Sequence, residues 1–119
     1  MNHVVRSDEA EVVTLDKVEG HQLDRPAKVR VLAEAESMLL LEVTMSGESP
    51  PHVHQHDSVG YVVSGRVRMR VAEETWELGA GDSFYHPPDV VHQMVALGGP
   101  AVWLEIKSPP ARTWLPPES

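Results

Sequence analysis

Apolar and polar residues alternate along most of the chain, and proline and glycine interrupt the alternation at short intervals. A period of two is typical of β-strands that bury one face. The pattern predicts strands over residues 12–15, 28–32, 37–45, 59–64, 66–72, 75–78, 83–86, 91–97 and 101–107. No convincing amphipathic helix of ten or more residues interrupts them. Many short strands at close spacing predict an all-β sandwich or barrel.

Turn residues separate the predicted strands and suggest how the chain is organised. Ser64-Gly65, Ala80-Gly81-Asp82, Pro87-Pro88-Asp89 and Gly98-Gly99-Pro100 are each typical of a turn between strands. We expect an N-terminal arm with one strand over residues 1–27, a barrel over 28–107, and a proline-rich tail over 108–119. The tail should be extended, and it could pack across the barrel or a second subunit.

Charge and composition narrow the classes of partner. The chain has 119 residues, a formal net charge of -8 and no cysteine. An acidic surface repels nucleic acid and anionic lipid, so we expect neither as a partner. Disulfides and thiolate chemistry are excluded. No apolar run approaches the roughly 18–20 residues that span a bilayer, and the polar N-terminus lacks a signal-peptide pattern, so we expect no membrane partner and a cytoplasmic protein.

Five of the seven histidines fall in two short segments, His52-Val53-His54-Gln55-His56 and His86 to His92. In extended chain, His52 and His54 point to the same side about 6.5–7 Å apart, so both imidazoles can reach one metal ion. A third ligand must come from a neighbouring strand, and His92 is the candidate. His56 could be a spare ligand, a proton carrier or a rim residue, and His86 could lie next to the ligands. We assign no role to His3 and His21.

These segments resemble the two motifs of the cupin family. Gly47, His52, His54, Ser58 and Gly65 follow the first motif from its glycine to its closing glycine, and Gly81, Pro87, Asp89 and His92 follow the second, with Asp89 in place of the usual turn glycine. The resemblance implies a double-stranded antiparallel β-barrel, the cupin jelly roll. It also implies one divalent transition metal ion held by His52, His54 and His92, which could be zinc, nickel, manganese or iron. Ser58 stands where the family has a fourth ligand, Glu or Gln.

Within that family, the run from His52 to Val62, together with Gly81-Asp82-Ser83 and Ser108-Pro109-Pro110, resembles KdgF-like cupins of pectin and alginate breakdown. That resemblance implies metal-assisted ring opening of a 4,5-unsaturated monouronate to a linear keto sugar acid. An aspartate, an aromatic residue and an arginine assist in those proteins. Glu105 stands at the aspartate position, Lys107 at the aromatic position and Ala111 at the arginine position, with Arg112 one residue later.

Three functions are open at this point. The first is ring opening or isomerisation of a small sugar acid or a similar oxygen-rich metabolite, with Glu105 or His56 moving a proton and Lys107 or Arg112 holding a carboxylate. Tyr61, Met94 and Trp103 would form the pocket wall, although Met94 and Trp103 could equally be core residues. The second is a three-histidine iron dioxygenase. The third is a non-catalytic cupin that binds a small ligand, so the sequence leaves open whether the protein is an enzyme.

The oligomeric state follows from the outer face of the barrel. Val91, Val95 and Leu97 alternate with His92 and should point away from it. An apolar outer face on so small a protein needs cover, so we expect a homodimer.

Overall fold

The computed structural model describes residues 3–110, and almost all of its regular structure is β. The strands are β1 (Glu11–Val18), β2 (His21–Glu34), β3 (Leu39–Met45), β4 (Asp57–Ser64), β5 (Arg66–Val71), β6 (Glu74–Gly79), β7 (Ser83–His86), β8 (His92–Ala96) and β9 (Ala101–Ser108). A 3₁₀ turn over Ser7–Glu9 precedes them. In this part of the chain, no helix has the length and apolar character to cross a membrane.

Two antiparallel sheets form the barrel. The larger sheet has the order β1-β2-β3-β9-β4-β7, and the smaller has the order β6-β5-β8. Val67, Met69 and Met94 of the smaller sheet are buried in one cluster with residues of the larger sheet such as Leu41 and Trp103. The prediction of an all-β, double-stranded antiparallel barrel of the jelly-roll type is therefore confirmed.

The N-terminal region contains more sheet than the sequence pattern predicted. We expected one strand within residues 1–27, but β1 and the first part of β2 both lie there, and the predicted boundary between residues 27 and 28 falls inside β2. The pairing of β1 with β2 shifts register between Leu15 and Lys17. Such an irregularity breaks the period of two from which strands are recognised. The division into arm, barrel and tail stays a prediction, and most of the tail lies outside the described residues.

A glycine in β4 leaves room for an aromatic ring inside the barrel. Gly60 alternates with the buried Ser58 and Val62, so a side chain there would point inward. A Cβ at this position would lie 2.1 Å from Cζ of Phe84. The Phe84 ring also packs against His86, with ring centroids 4.8 Å apart. The absence of a side chain at Gly60 therefore leaves the space that the Phe84 ring occupies next to His86.

We predict that Gly60→Ala destabilises the protein, because the Phe84 ring must move out of a packed interior. Overpacking of this kind costs about 1–3 kcal/mol, which urea denaturation measures as a lower free energy of unfolding. Gly79→Ala is the matched control, since a Cβ there meets nothing within 4 Å. Equal stability of the two variants would contradict the packing argument.

Candidate metal centre

Backbone hydrogen bonds place the two histidine segments side by side. The His52 N–H donates to the His92 carbonyl oxygen at 3.1 Å, and the His92 N–H donates to the His52 carbonyl oxygen at 2.9 Å. This is the reciprocal pair of an antiparallel bridge, in which the two side chains project to the same side. His54 follows two residues after His52, so its side chain projects to that side as well.

The turn before His92 completes this arrangement. Asp89 has φ of 62°, in the left-handed region that normally favours glycine. Aspartate is one of the few other residues that tolerate this region, which explains how Asp89 replaces the turn glycine of the cupin motif. Its backbone N–H donates to the His54 carbonyl oxygen at 2.8 Å. The turn therefore ties the segment that carries His92 to the segment that carries His54.

The three imidazoles converge inside the barrel. His52, His54 and His92 are all buried, and each offers a ring nitrogen within 4.8 Å of the others. Nε2 of His52 lies 3.2 Å from Nε2 of His54. The His92 ring centroid is 4.3 Å from that of His52 and 4.9 Å from that of His54. Two nitrogens at 3.2 Å can both reach one ion at the usual metal–nitrogen distance of about 2.1 Å.

Oxygen acceptors at the opposite ring nitrogens fix the tautomers. Nδ1 of His52 lies 2.7 Å from the Pro50 carbonyl oxygen, and Nδ1 of His92 lies 3.4 Å from the Val90 carbonyl oxygen. Nδ1 of His54 lies 2.8 Å from Oε1 of Glu19. Because a carbonyl or carboxylate oxygen can only accept, each Nδ1 carries the proton. In the neutral rings, each Nε2 therefore presents a lone pair.

The donor set fits a divalent transition metal ion. Burial lowers the pKa of His52 and His54 and lowers the pKa of His92 to about 3, so the rings are neutral at pH 7. The contact between Nε2 of His52 and Nε2 of His54 then contains no proton, and two lone pairs face each other at 3.2 Å. A cation between them removes that repulsion. Neutral imidazole nitrogens are ligands that suit zinc, nickel and iron.

A buried charge cluster on β9 lies beside these histidines. Lys107 and Glu105 form an ion pair of 3.1 Å, and Nε1 of Trp103 donates to Glu105 at 2.7 Å. Burial disfavours the Glu105 carboxylate, but Lys107, His86 and the Trp103 hydrogen bond together hold the pKa of Glu105 well below its ordinary value. Glu105 is therefore ionised at neutral pH.

Lys107 also lies next to Ser58, the residue at the position of the fourth ligand in cupins. Its Nζ donates to Oγ of Ser58 at 3.2 Å and lies 3.0 Å from Nε2 of His56. An ammonium group bonded to Ser58 opposes a metal ion there, since both are cations. Burial and the charge of Lys107 lower the pKa of His56 to about 4, so this ring is neutral and accepts from the ammonium.

A cavity connects the histidines with the β9 cluster. Its polar lining consists of His52, His54, His86, His92, Ser49, Glu105 and Lys107, and Met94 and Trp103 line it as well. Its apolar lining comes from β1, β2 and β3 and consists of Leu15, Val18, Leu23, Ala27, Val29, Leu41, Val43 and Met45. The cavity can therefore receive a small molecule that carries both oxygen atoms and apolar surface.

Most of the described residues singled out from the sequence meet at this cavity, but two do not. Tyr61 is 49% exposed on the outer side of β4, so its prediction as a pocket residue is wrong. The reason is that side chains alternate along β4. Because positions 58, 60 and 62 face inward, Tyr61 faces outward. His56 is buried beside Lys107 rather than at the rim and does not line the cavity. Arg112 lies outside the described residues.

The sequence did not indicate Glu19 as part of the site, and it indicated only a minor role for His86. Glu19, at the turn between β1 and β2, reaches His54 across 35 positions of sequence, and no local pattern indicates such a contact. His86 stacks on His92 with ring centroids 4.1 Å apart, and burial lowers its pKa to about 4. The parity of β7 could have indicated it, because His86 alternates with the buried Phe84.

Comparison with known proteins identifies the fold family. The cupin domain family matches residues 39–107, and the chain belongs to this family. No curated protein matches it. An RmlC-like cupin from Shewanella frigidimarina has 26% identity and a TM-score of 0.78, with 94% of each chain covered. KdgF from Halomonas sp. has 24% identity and a TM-score of 0.77, with 97% of this chain and 100% of that chain covered.

A third solved structure extends the comparison. A predicted oxalate decarboxylase from Thermotoga maritima has 17% identity and a TM-score of 0.75, with 88% of this chain and 97% of that chain covered. At this identity, as for KdgF, the likeness concerns the fold. The fold and the three-histidine group together define a cupin with a site that could bind a metal ion.

We predict that the metal-free protein loses stability as the pH falls from 6.5 towards 4. The unfolded chain protonates its histidines near 6.5, whereas the folded protein keeps His86 neutral to about pH 4. The unfolded state therefore binds more protons in this window, and His86 alone contributes up to about 1.4 kcal/mol per pH unit. Denaturation across this range measures the slope. His86→Gln should reduce this slope. His21→Gln, at an exposed position, is the control. A free energy of unfolding that does not change between pH 6.5 and 4 would refute the prediction.

Proposed function

We propose that the protein binds one divalent transition metal ion through Nε2 of His52, His54 and His92. The supporting observation is that the three buried rings each offer a nitrogen within 4.8 Å of the others, while each Nδ1 is held by an oxygen acceptor. Ser58 is not a ligand in this proposal because it accepts from Lys107. The resulting site has three neutral ligands and leaves coordination positions for a small molecule.

We predict about one transition metal ion per chain in the purified protein by elemental analysis. In His54→Ala the content should fall to a small fraction of that value, because one of three ligands is lost. His21→Ala removes a histidine that is exposed and should keep the full content. Equal metal content in the wild type and in His54→Ala would argue against the site.

For the reaction, we propose the ring opening of an unsaturated sugar acid, which the motif resemblance to KdgF-like cupins supports. A base takes the proton of the ring hemiacetal hydroxyl, the ring C–O bond breaks, and an aldehyde forms. The ring oxygen keeps the electron pair as an enolate, which takes a proton at carbon and becomes a ketone, so atoms and charge balance without an oxidant. When bound, the metal ion supplies positive charge that stabilises negative charge on a substrate oxygen.

The charge cluster on β9 supplies groups for these steps. Glu105 is ionised and lies at the cavity, so its carboxylate can take the hydroxyl proton. Lys107 places a positive charge at the cavity that attracts the substrate carboxylate, while Glu105, Ser58 and His56 keep its ammonium group in place. His56, which is neutral and contacts Lys107, can accept or return a proton through that contact.

The apolar part of the cavity lining favours the same class of substrate. A fully hydroxylated sugar would leave hydroxyl groups against Leu23, Val29, Leu41 and Val43 without partners, which costs free energy. An unsaturated uronate has a C=C edge with no hydroxyl group. That edge can contact the apolar side chains of the lining while the carboxylate and the remaining hydroxyl groups contact the polar ones.

We predict that the metal-loaded protein removes the enol-ether absorbance of a 4,5-unsaturated monouronate. Glu105→Gln keeps the size of the side chain and an acceptor for Trp103 but removes the base, so kcat should fall by about 100-fold or more. Glu42→Gln is the matched control, since Glu42 is half-exposed in β3 and pairs with Arg30 away from the cavity.

The other outcomes of this assay identify the alternative functions. Oxygen uptake by the ferrous protein with a thiol or enol substrate would replace the proposed reaction with that of a three-histidine dioxygenase. Tight ligand binding without turnover would indicate a non-catalytic cupin. Either result would refute the ring-opening proposal while leaving the metal site intact.

The homodimer stays a prediction. Besides the face that contains Val91, a second exposed apolar face could form its interface. Val91 is exposed opposite His92, as the strand parity requires. On the outer side of the larger sheet, Val59, Tyr61 and Ile106 are also exposed, and Val59 pairs with Ile106 in adjacent strands. A second copy of the chain could cover this apolar patch. The cytoplasmic location likewise stays a prediction.

A further inference from the structure

The three candidate ligands differ in what holds their second ring nitrogen. His52 and His92 each use the backbone carbonyl two residues earlier, at Pro50 and Val90. These contacts lie within the segments that carry the histidines. His54 instead uses the Glu19 carboxylate, which comes from the turn of the β1–β2 hairpin. It is the one ligand of the three whose ring is held by an ionisable side chain from a distant element.

The hairpin turn also puts Glu19 in a backbone conformation that glutamate rarely adopts. Glu19 has φ of 48° and Gly20 has φ of 80°, so both central residues are in the left-handed region. Two-residue hairpin turns of this form favour Asn-Gly or Asp-Gly. A longer side chain at the first position gains nothing for the turn itself. A strained position next to a polar site is a reason to look for a function of its side chain.

The contact is also partly sheltered from solvent. The His54 side chain is 6% exposed and the Glu19 side chain 23% exposed. Val18, the neighbour of Glu19, lines the cavity together with Leu15 and Leu23 of the same hairpin. The hairpin therefore forms part of the cavity wall. It also places the Glu19 carboxylate at Nδ1 of His54, a candidate metal ligand.

We propose that Glu19 is a positioning residue for the metal site, which holds the His54 ring with its Nε2 directed at the ion. This inference rests on the proposed metal site. The hydrogen bond from Nδ1 fixes the tautomer, and the negative charge makes the imidazole a stronger electron donor. Carboxylate partners of this kind typically change metal affinity by about 10–100-fold.

The hairpin gives an informative variant, because glycine suits the left-handed turn. Glu19→Gly removes the carboxylate and relieves the backbone, so loss of metal binding cannot be attributed to a weakened turn. Glu19→Gln keeps an oxygen acceptor for Nδ1 and loses only the charge. Asp16→Asn is the matched control, since it removes one negative charge from an exposed position of β1.

The first measurement is the affinity of the full-length protein for Zn²⁺ or Ni²⁺ by competition with a chelator. We expect Glu19→Gly to bind about 10–100-fold more weakly than the wild type. Glu19→Gln should be intermediate, and Asp16→Asn should bind as the wild type does. An affinity of Glu19→Gly within twofold of the wild type would overturn the inference.

The second measurement needs no metal ion. Two-bond ¹H–¹⁵N correlation spectra of the metal-free protein distinguish the two tautomers of a neutral histidine. We expect His54 to be protonated at Nδ1 in the wild type and in Glu19→Gln, and to be a mixture in Glu19→Gly. An unchanged tautomer in Glu19→Gly would overturn the inference. If the wild type binds no ion but the tautomer shifts, the metal proposal fails and the positioning of His54 by Glu19 stands.

Discussion

The pair of reciprocal backbone hydrogen bonds between His52 and His92 is the constraint on which the site depends. It brings two distant segments into one register, and the side chains of both then project into the barrel. The hydrogen bond from the Asp89 N–H to the His54 carbonyl oxygen joins the same two segments at a second point, next to the third candidate ligand. Because these hydrogen bonds order both histidine segments, they lower the entropic cost of bringing three ligands to one ion.

Burial of the three imidazoles then determines their charge. Desolvation disfavours the imidazolium form, so the rings present lone pairs rather than protons at neutral pH. Each Nδ1 proton has an acceptor, which leaves a lone pair on Nε2 of each ring. The cost of holding lone pairs close together is what a cation offsets. The same physical effect that neutralises the histidines thus prepares them as ligands.

The charges on β9 complement this neutral donor set. Glu105 and Lys107 are both buried, and they compensate each other at 3.1 Å with further hydrogen bonds from Trp103 and to Ser58. A buried ion pair is tolerated when its remaining hydrogen-bonding groups are satisfied. Its arrangement beside the cavity means that a cationic donor and an anionic acceptor are both within the reach of a bound molecule. This combination is the basis of the proposed acid–base chemistry.

The sequence by itself determined most of the strands, the antiparallel barrel and the candidate ligand set. Alternation and turn residues are local properties of the chain, and the motifs that contain His52, His54 and His92 resemble those of cupins. It could also place Glu105 and Lys107 on one face of β9, since a strand has a period of two. It misplaced Tyr61, whose direction depends on which side of β4 faces the core. Only the tertiary structure decided the contact of Glu19 with His54 and that of Lys107 with Ser58 and His56. These contacts join residues that are far apart in sequence, and their geometry depends on the pairing of whole strands rather than on any local pattern.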